Sequence, residues 1–307
     1  MFVSVIVPNY NHAKFLDQRI QSILNQTYQE FELIILDDCS PDEGASRKVI
    51  EQYRDNPHVS HIVYNEVNSG STFKQWDKGI NLAKGELIWI AESDDFCDAN
   101  LLEELVSEFL QDDDLSLAYS LSQKVDAKGE IIPYWCRIPS YNTHLCGADY
   151  VRRYMTMHNH CKNASACVFR KKSYYEIDKT FTTYKAGGDM LFWIEIAEHG
   201  NVSIVNKRIN YFRQHNQKVT PDSVKKGISS KEYKKTFDYV LSHFNISKRR
   251  KRLMLDYYRF IIEYRKYETE EIRKEIYNYW GVKPLNIIEK IFIKLLLVLR
   301  NRLNLYF

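Results

Sequence analysis

Phe31-Glu32-Leu33-Ile34-Ile35-Leu36-Asp37-Asp38 is the stretch on which the fold turns. Its apolar residues run on without the alternation of a half-exposed strand, and the run stops at two acids. Such runs mark strands buried on both faces of a parallel sheet. The same shape recurs on either side. Upstream, Val3-Ser4-Val5-Ile6-Val7 ends at Pro8, and Asn9-Tyr10-Asn11-His12 reads as a turn. Downstream, Leu87-Ile88-Trp89-Ile90-Ala91 ends at Glu92-Ser93-Asp94-Asp95.

Helical spacing fills the gaps. Phe15, Leu16, Ile20, Ile23 and Leu24 share one face, and residues 47–53, 73–83 and 101–110 read as further helices, the last capped by Asp98 or Asn100. Residues 61–64 read as a strand. This order predicts an α/β fold with a mostly parallel central sheet flanked by helices. Ligands of such sheets bind beyond the carboxyl ends of the strands, so Asp37-Asp38 and Asp94-Asp95 are expected on one edge.

The rest of the chain is less regular. Residues 117–125, 166–169, 202–205 and 209–212 read as strands, and 149–157 and 189–198 as helices. After about residue 220 the composition shifts to Lys, Arg, Glu and Tyr, with helical patterning through 233–244, 252–264 and 272–279, broken by Gly281 and Pro284. Three regions are therefore expected: a catalytic unit at 1–220, a helical extension at 221–284 and an amphipathic helix at 285–307. The apolar run 287–299 is too short and too charged to span a bilayer, which needs about 20 apolar residues. It fits a helix lying in the membrane interface. Packing into a dimer or onto the catalytic unit is the rival.

The 307 residues suffice for a buried core, and 44% hydrophobic with 27% charged is ordinary for a globular chain. A net charge of +3 gives no footprint for nucleic acid. The six cysteines include no C-x-x-C pair, so a thiolate zinc site is not expected. The first residues lack a basic segment ahead of a long apolar run, so they do not read as a signal peptide, and the cysteines read as reduced thiols of a cytoplasmic protein.

Three places carry candidate chemistry. At Asp94-Asp95 a carboxylate can hold a divalent cation against a diphosphate, or the pair can simply cap the next helix. Asp38, before the turn-rich Cys39-Ser40-Pro41-Asp42, can accept a hydrogen bond from a base or ribose, or serve the turn. Gly187-Gly188-Asp189 puts a carboxylate at a helix start, where it can act as a base or as an N-cap. Neither G-x-G-x-x-G after the first strand nor G-x-x-x-x-G-K-[ST] occurs, which disfavours a dehydrogenase or a P-loop ATPase.

Taken in order, these stretches resemble the family 2 inverting glycosyltransferases. The resemblance rests on Val3–Asn11, Phe31–Ser40, Ala83-Lys84-Gly85-Glu86 with Ser93-Asp94-Asp95, Asn163-Ala164-Ser165-Ala166 and Gly188-Asp189, and covers roughly residues 1–215. It implies the A-type nucleotide-diphospho-sugar transferase fold. Pro8, with Asn9, would lie beside the base, Asp38 on the base or ribose, and Asp94 near the ribose or sugar. Asn68, Gly70 and Lys74 would help hold the donor, and Asn163 and Ser165 would line the sugar or acceptor pocket. Asp95 would ligate Mg²⁺ or Mn²⁺, His215 would reach the metal or diphosphate, and Asp189 would be the catalytic base. Glu92 stands where many members have Asp, and Gly188 where many have Glu.

The expected activity is transfer of a sugar, with inversion, from a nucleotide-diphospho-sugar to a saccharide or lipid-linked saccharide. The enzyme would be cytoplasmic and rest on an anionic membrane through the basic residues 248–252 and the terminal helix. A nucleotidyltransferase would need a basic, glycine-rich loop after the first strand, which residues 8–12 do not offer. A non-catalytic binding module would not need Asp38, Asp95 and Asp189 together.

Overall fold

The computed structural model describes residues 1–133, 142–215 and 220–303. The chain divides into two compact units. The first comprises Met1–Gly147, Cys161–Thr183 and Glu195–Asn216. The second comprises Ala148–His160, Tyr184–Ile194 and Gln217–Phe307. Two short segments of the expected 1–220 region thus group with the C-terminal helices.

The first unit is built on one sheet. Its strands are β1 (Val3–Asn9), β2 (Phe31–Asp37), β3 (Val59–Tyr64), β4 (Leu87–Ile90), β5 (Phe96–Cys97), β6 (Leu115–Val125), β7 (Thr143–Cys146), β8 (Cys167–Arg170) and β9 (Asn201–Arg213). The order is β3-β2-β1-β4-β8-β6-β9-β5, with β7 also on β9. β3, β2, β1 and β4 are parallel, as the continuous apolar runs require. β8 enters antiparallel between β4 and β6, and β5 and β7 run antiparallel to β9, so the sheet is mixed. The two short runs at 202–205 and 209–212 are one long strand, β9, paired parallel to β6 through shifts of register.

Helices cover both faces. Val3, Val5 and Val7 pack with α1 (Ala13–Leu24), α2 (Ala45–Glu51) and α4 (Leu101–Gln111) through Leu16, Ile20, Ile23, Ile50, Leu105 and Phe109. Ile6, alternating to the other face, meets α3 (Thr72–Leu82) at Gly79. A Cβ there would lie 2.4 Å from Ile6 Cγ2, so close approach of helix to strand needs glycine. Short α5 (Gly147–Tyr150) runs into a π-turn at Val151–Met155 in place of the single helix expected at 149–157, and α6 (Lys171–Glu176) follows β8.

The second unit takes in the start of α7 (Gly188–Glu198), then α8 (Thr220–Lys225), α9 (Ile228–His243), α10 (Lys248–Tyr264), α11 (Glu270–Trp280) and α12 (Ile287–Leu303). Phe237, Tyr258 and Trp280 form its aromatic core. The basic residues 248–252 are the first turn of α10, begun by Ser247, whose hydroxyl accepts from Arg250 N at 3.2 Å.

The described cysteines are all free thiols. Cys136, with the rest of 134–141, lies outside the described residues. Among the described residues no helix is long and apolar enough to cross a membrane.

Candidate active site

Strand direction decides which residues meet. β8 is antiparallel to both β4 and β6, and β9 is parallel to β6, so β4 and β9 point the same way. The segments leaving β4 and β9 therefore emerge at the same edge. Asp94 and His215 do so, and His215 Nε2 lies 2.8 Å from Asp94 Oδ2. His12, just beyond β1, completes the group. Its ring centroid is 5.2 Å from that of His215, and its Nδ1 is 2.9 Å from Ser93 Oγ. One ligand atom from each of His12, Asp94 and His215 falls within 4.8 Å of the others, and among the described residues this is the group that could hold a metal ion.

Asp95, expected as the metal ligand, is turned inward. It is buried, and its oxygens accept from Asn163 Nδ2 at 2.7 Å, Ser165 Oγ at 2.7 Å and Arg213 N at 2.9 Å. Asn163 and Ser165, expected in a ligand pocket, are buried too. Ser165 Oγ also accepts from Glu92 N, and its carbonyl from Trp89 Nε1. Arg213 threads the same knot: its Nε donates to the Asp94 carbonyl and its Nη2 to Gln18 Oε1. Three acids in four residues cannot all ionise cheaply. Burial, with the Asp94 charge, pushes the Glu92 carboxyl up to about 8, and the same causes raise Asp95.

Asp38 is also an internal anchor. Its carboxylate accepts from Asn65 Nδ2, Asn68 Nδ2, Ser69 N, Ser69 Oγ and Gln75 Nε2. Those bonds shape the turn at 68–71, where Gly70 has φ +75° and Asn68 Oδ1 accepts from Gly70 N. Asn68 and Gly70 are exposed on it, and Lys74, exposed on α3, donates from Nζ to the Ser69 carbonyl. Pro8 and Asn9 are buried in β1, and Asn9 Nδ2 donates to Asp37 Oδ1 at 2.7 Å.

Asp189 belongs to the second unit. It opens α7, and its Oδ2 accepts from Asn159 Nδ2 at 2.8 Å. Burial pushes its carboxyl up to about 6, against hydrogen bonds from Met190 N and Asn159 that lower it. At neutral pH it is ionised yet more basic than an ordinary aspartate, which suits it to take a proton from a hydroxyl.

A sequence model described as "Glycosyl transferase family 2" matches residues 4–177, more than half of the chain. The chain belongs to glycosyl transferase family 2. Glycosyltransferase GlyG of Streptococcus pneumoniae is 35% identical over 111 residues, which is 36% of this chain and 36% of that relative. The poly(ribitol-phosphate) beta-N-acetylglucosaminyltransferase TarP of Staphylococcus aureus is 35% identical over 105 residues, 34% of this chain and 31% of TarP. The chain spans less than half the length of the curated relatives it matches. In fold, this family 2 chain resembles the crystal structure of S. aureus TarS 1-349 in complex with UDP, with a TM-score of 0.63 and 20% identity over 84% of this chain and 70% of that one.

The sequence reading did not single out three residues that make these contacts: His12 on Ser93, Arg213 on Asp94 and Asp95, and Asn159 on Asp189. His12 follows an apolar strand just as Asp94 does, so the strand-end rule applies equally to it. Nothing in the local pattern marks Asn159.

Proposed function

We propose that this family 2 member transfers a sugar from a nucleoside-diphosphate sugar to a hydroxyl of a cell-surface polysaccharide or its lipid-linked precursor, with inversion. The observation that carries the reading is the His12–Asp94–His215 group at the sheet edge where a parallel sheet binds its ligand. TarS structures with UDP and with UDP-GlcNAc support a UDP-sugar as the donor to test first. TarP and TarS, named for modifying poly(ribitol-phosphate), support a cell-surface polymer as the acceptor class.

The donor set fits a divalent cation. Two imidazoles and one carboxylate suit manganese better than magnesium, which favours oxygen ligands and water. A bound cation would neutralise the departing diphosphate. Asp94, His12 and His215 would hold it, while Asp95 fixes the turn that carries Asp94 and keeps Asn163 and Ser165 in place. Asp38 holds the turn that presents Asn68, Gly70 and Lys74 to the donor, with Pro8 and Asn9 as the floor of the base site.

Asp189 takes the proton of the acceptor hydroxyl. That oxygen forms its bond to the anomeric carbon from the face opposite the nucleotide. The bond from that carbon to the diphosphate oxygen breaks, and the leaving group keeps the electron pair. Back-side displacement inverts the anomeric centre.

The surface of α12 supports a peripheral membrane location at the cytoplasmic face. Ile287, Ile288, Ile291, Phe292 and Leu295 are all more than half exposed and fall at helical spacing on one stripe, and Lys294 is exposed beside them. Residues 248–252 of the same unit add positive charge for anionic lipid, at about 1 kcal/mol for each basic residue near the surface.

The test is nucleotide release from a panel of UDP-, GDP- and dTDP-sugars with Mn²⁺ and an extract of lipid-linked saccharides. Release that needs the acceptor fraction and is lost in Asp189→Asn supports the assignment. Absence of release from every donor counts against it.

A further inference from the structure

The segment ahead of Asp189 is held by a side chain 45–47 positions further along the chain. Lys185, Ala186 and Gly187 present three consecutive backbone N–H groups, and all three donate to Glu232 of α9. Lys185 N reaches Oε1 at 2.6 Å, and Ala186 N and Gly187 N reach Oε2 at 3.1 and 2.8 Å. Glu232 is 6% exposed. A carboxylate removed from water is costly unless its oxygens are matched. Successive N–H groups form an anion-binding nest, and bonds to a charged acceptor are the strong ones. A capped helix start does not by itself need such a clamp, because Asp189 already lies at the first turn of α7 and meets Met190 N. From another segment, Asn159 Nδ2 fixes Asp189 Oδ2 at 2.8 Å.

We propose that Glu232 and Asn159 are positioning residues for Asp189: Glu232 fixes the backbone that carries the base, and Asn159 sets the direction of its carboxylate. This rests on Asp189 being the base.

The two residues act on Asp189 with opposite sign. Glu232 is a like charge and raises its carboxyl, whereas the Asn159 amide donates to the ionised form and lowers it. Burial and then the Asp189 charge raise the phenol of Tyr233, beside Glu232 on α9, against the Arg265 guanidinium that lies 5.0 Å from its ring, so it stays neutral. A residue that only stabilised the fold would leave the ionisation of Asp189 unmoved.

The experiment is the pH profile of kcat/KM for wild type, Glu232→Gln, Glu232→Asp and Asn159→Ala, together with amide hydrogen exchange over residues 185–187. Glu232→Gln is expected to lower kcat about tenfold or more with donor KM unchanged, since small misplacement of a reacting group is costly. Its acid limb moves to lower pH, and exchange at 185–187 quickens. Asn159→Ala moves the acid limb to higher pH. Glu232→Asp, which keeps the charge on a shorter arm, quickens exchange and lowers kcat while leaving the limb in place. Unmoved limbs in both Glu232→Gln and Asn159→Ala, with Asp189→Asn inactive, overturn the positioning proposal alone. A fully active Asp189→Asn overturns the base instead, and unchanged exchange at 185–187 in either Glu232 variant then shows that the clamp on the loop is absent as well.

Discussion

The imidazole Nε2 of His215 stands 2.8 Å from Asp94 Oδ2, across 121 positions of sequence. The contact arises from topology: an antiparallel strand between β4 and β6 leaves β4 and β9 running in one direction, and the residues that leave their ends meet. Asp95, one peptide away, points back into the protein onto Asn163, Ser165 and the backbone of Arg213. Adjacent acids at one strand end thus face different partners.

This division makes a prediction about metal binding. Asp94→Ala or His215→Ala is expected to weaken Mn²⁺-dependent UDP binding at least about tenfold, in the range of losing one ligand or its support, with a melting temperature close to wild type. Asp95→Ala is expected to lower the melting temperature, because it leaves Asn163 and Ser165 with a lost acceptor in a buried place. Calorimetric titration with and without Mn²⁺, beside thermal unfolding, reads both. Full manganese dependence in Asp94→Ala, lost instead in Asp95→Ala, would reverse the assignment.

Asp189→Asn is expected to cut turnover by about 10²–10⁴, the usual contribution of a general base, with nucleotide affinity unchanged. It should also be more stable than wild type at pH 7.5. The folded protein holds the Asp189 proton up to about pH 6, above the ordinary aspartate value. The native state therefore binds more protons than the unfolded chain between these values, so stability falls as pH rises through that window and stays lowered above it. The variant's advantage, on the order of 3 kcal/mol, should disappear near pH 4. A less stable variant at pH 7.5 would contradict this reading of the site.

Glu195 gives a second pH effect, away from the proposed chemistry. It is buried, and burial with the nearby Asp178 pushes its carboxyl up to about 9. By the same sign rule its contribution is complete at about pH 4 and declines as pH rises towards 9. Glu195→Gln, which mimics the protonated form, should match wild type at about pH 4 and melt several degrees higher at pH 9. Parallel melting curves for the two proteins across that range would refute it.

The exposed stripe of α12 predicts membrane affinity. Ile288→Glu with Phe292→Glu should release the protein from vesicles containing anionic phospholipid, as should deletion of residues 285–307. Raising salt should weaken wild-type binding only in part, since screening removes the basic contribution and leaves the apolar one. Continued sedimentation of the double variant with vesicles counts against the stripe as the contact.

Much of this was legible in the sequence because burial on both faces leaves no choice of residue: β1, β2 and β4 had to be continuous apolar runs. Strand ends had to be where polar residues resume, which located Asp38, Asp94 and Asp95, and the glycine pair before a helical pattern located Asp189. Two features were hidden. Whether an acid at a strand end faces outward or inward depends on donors brought from elsewhere, here Asn163 and Ser165 for Asp95, and Asn65, Asn68, Ser69 and Gln75 for Asp38. The clamp by Glu232 joins a loop to a helix of the C-terminal region, and an acid on an amphipathic helix carries no local sign of being buried. The antiparallel β8 is similarly invisible, because an apolar four-residue strand reads alike in either direction.

The most direct test is thermal unfolding of the purified protein with UDP, with and without Mn²⁺, for wild type and Asp94→Ala. A diphosphate site held by metal on Asp94 predicts a stabilisation by UDP that requires Mn²⁺ and is absent in Asp94→Ala. Stabilisation that is indifferent to the metal, or equal in Asp94→Ala, would contradict that site. So would the absence of any shift with UDP, GDP or dTDP in the presence of Mn²⁺.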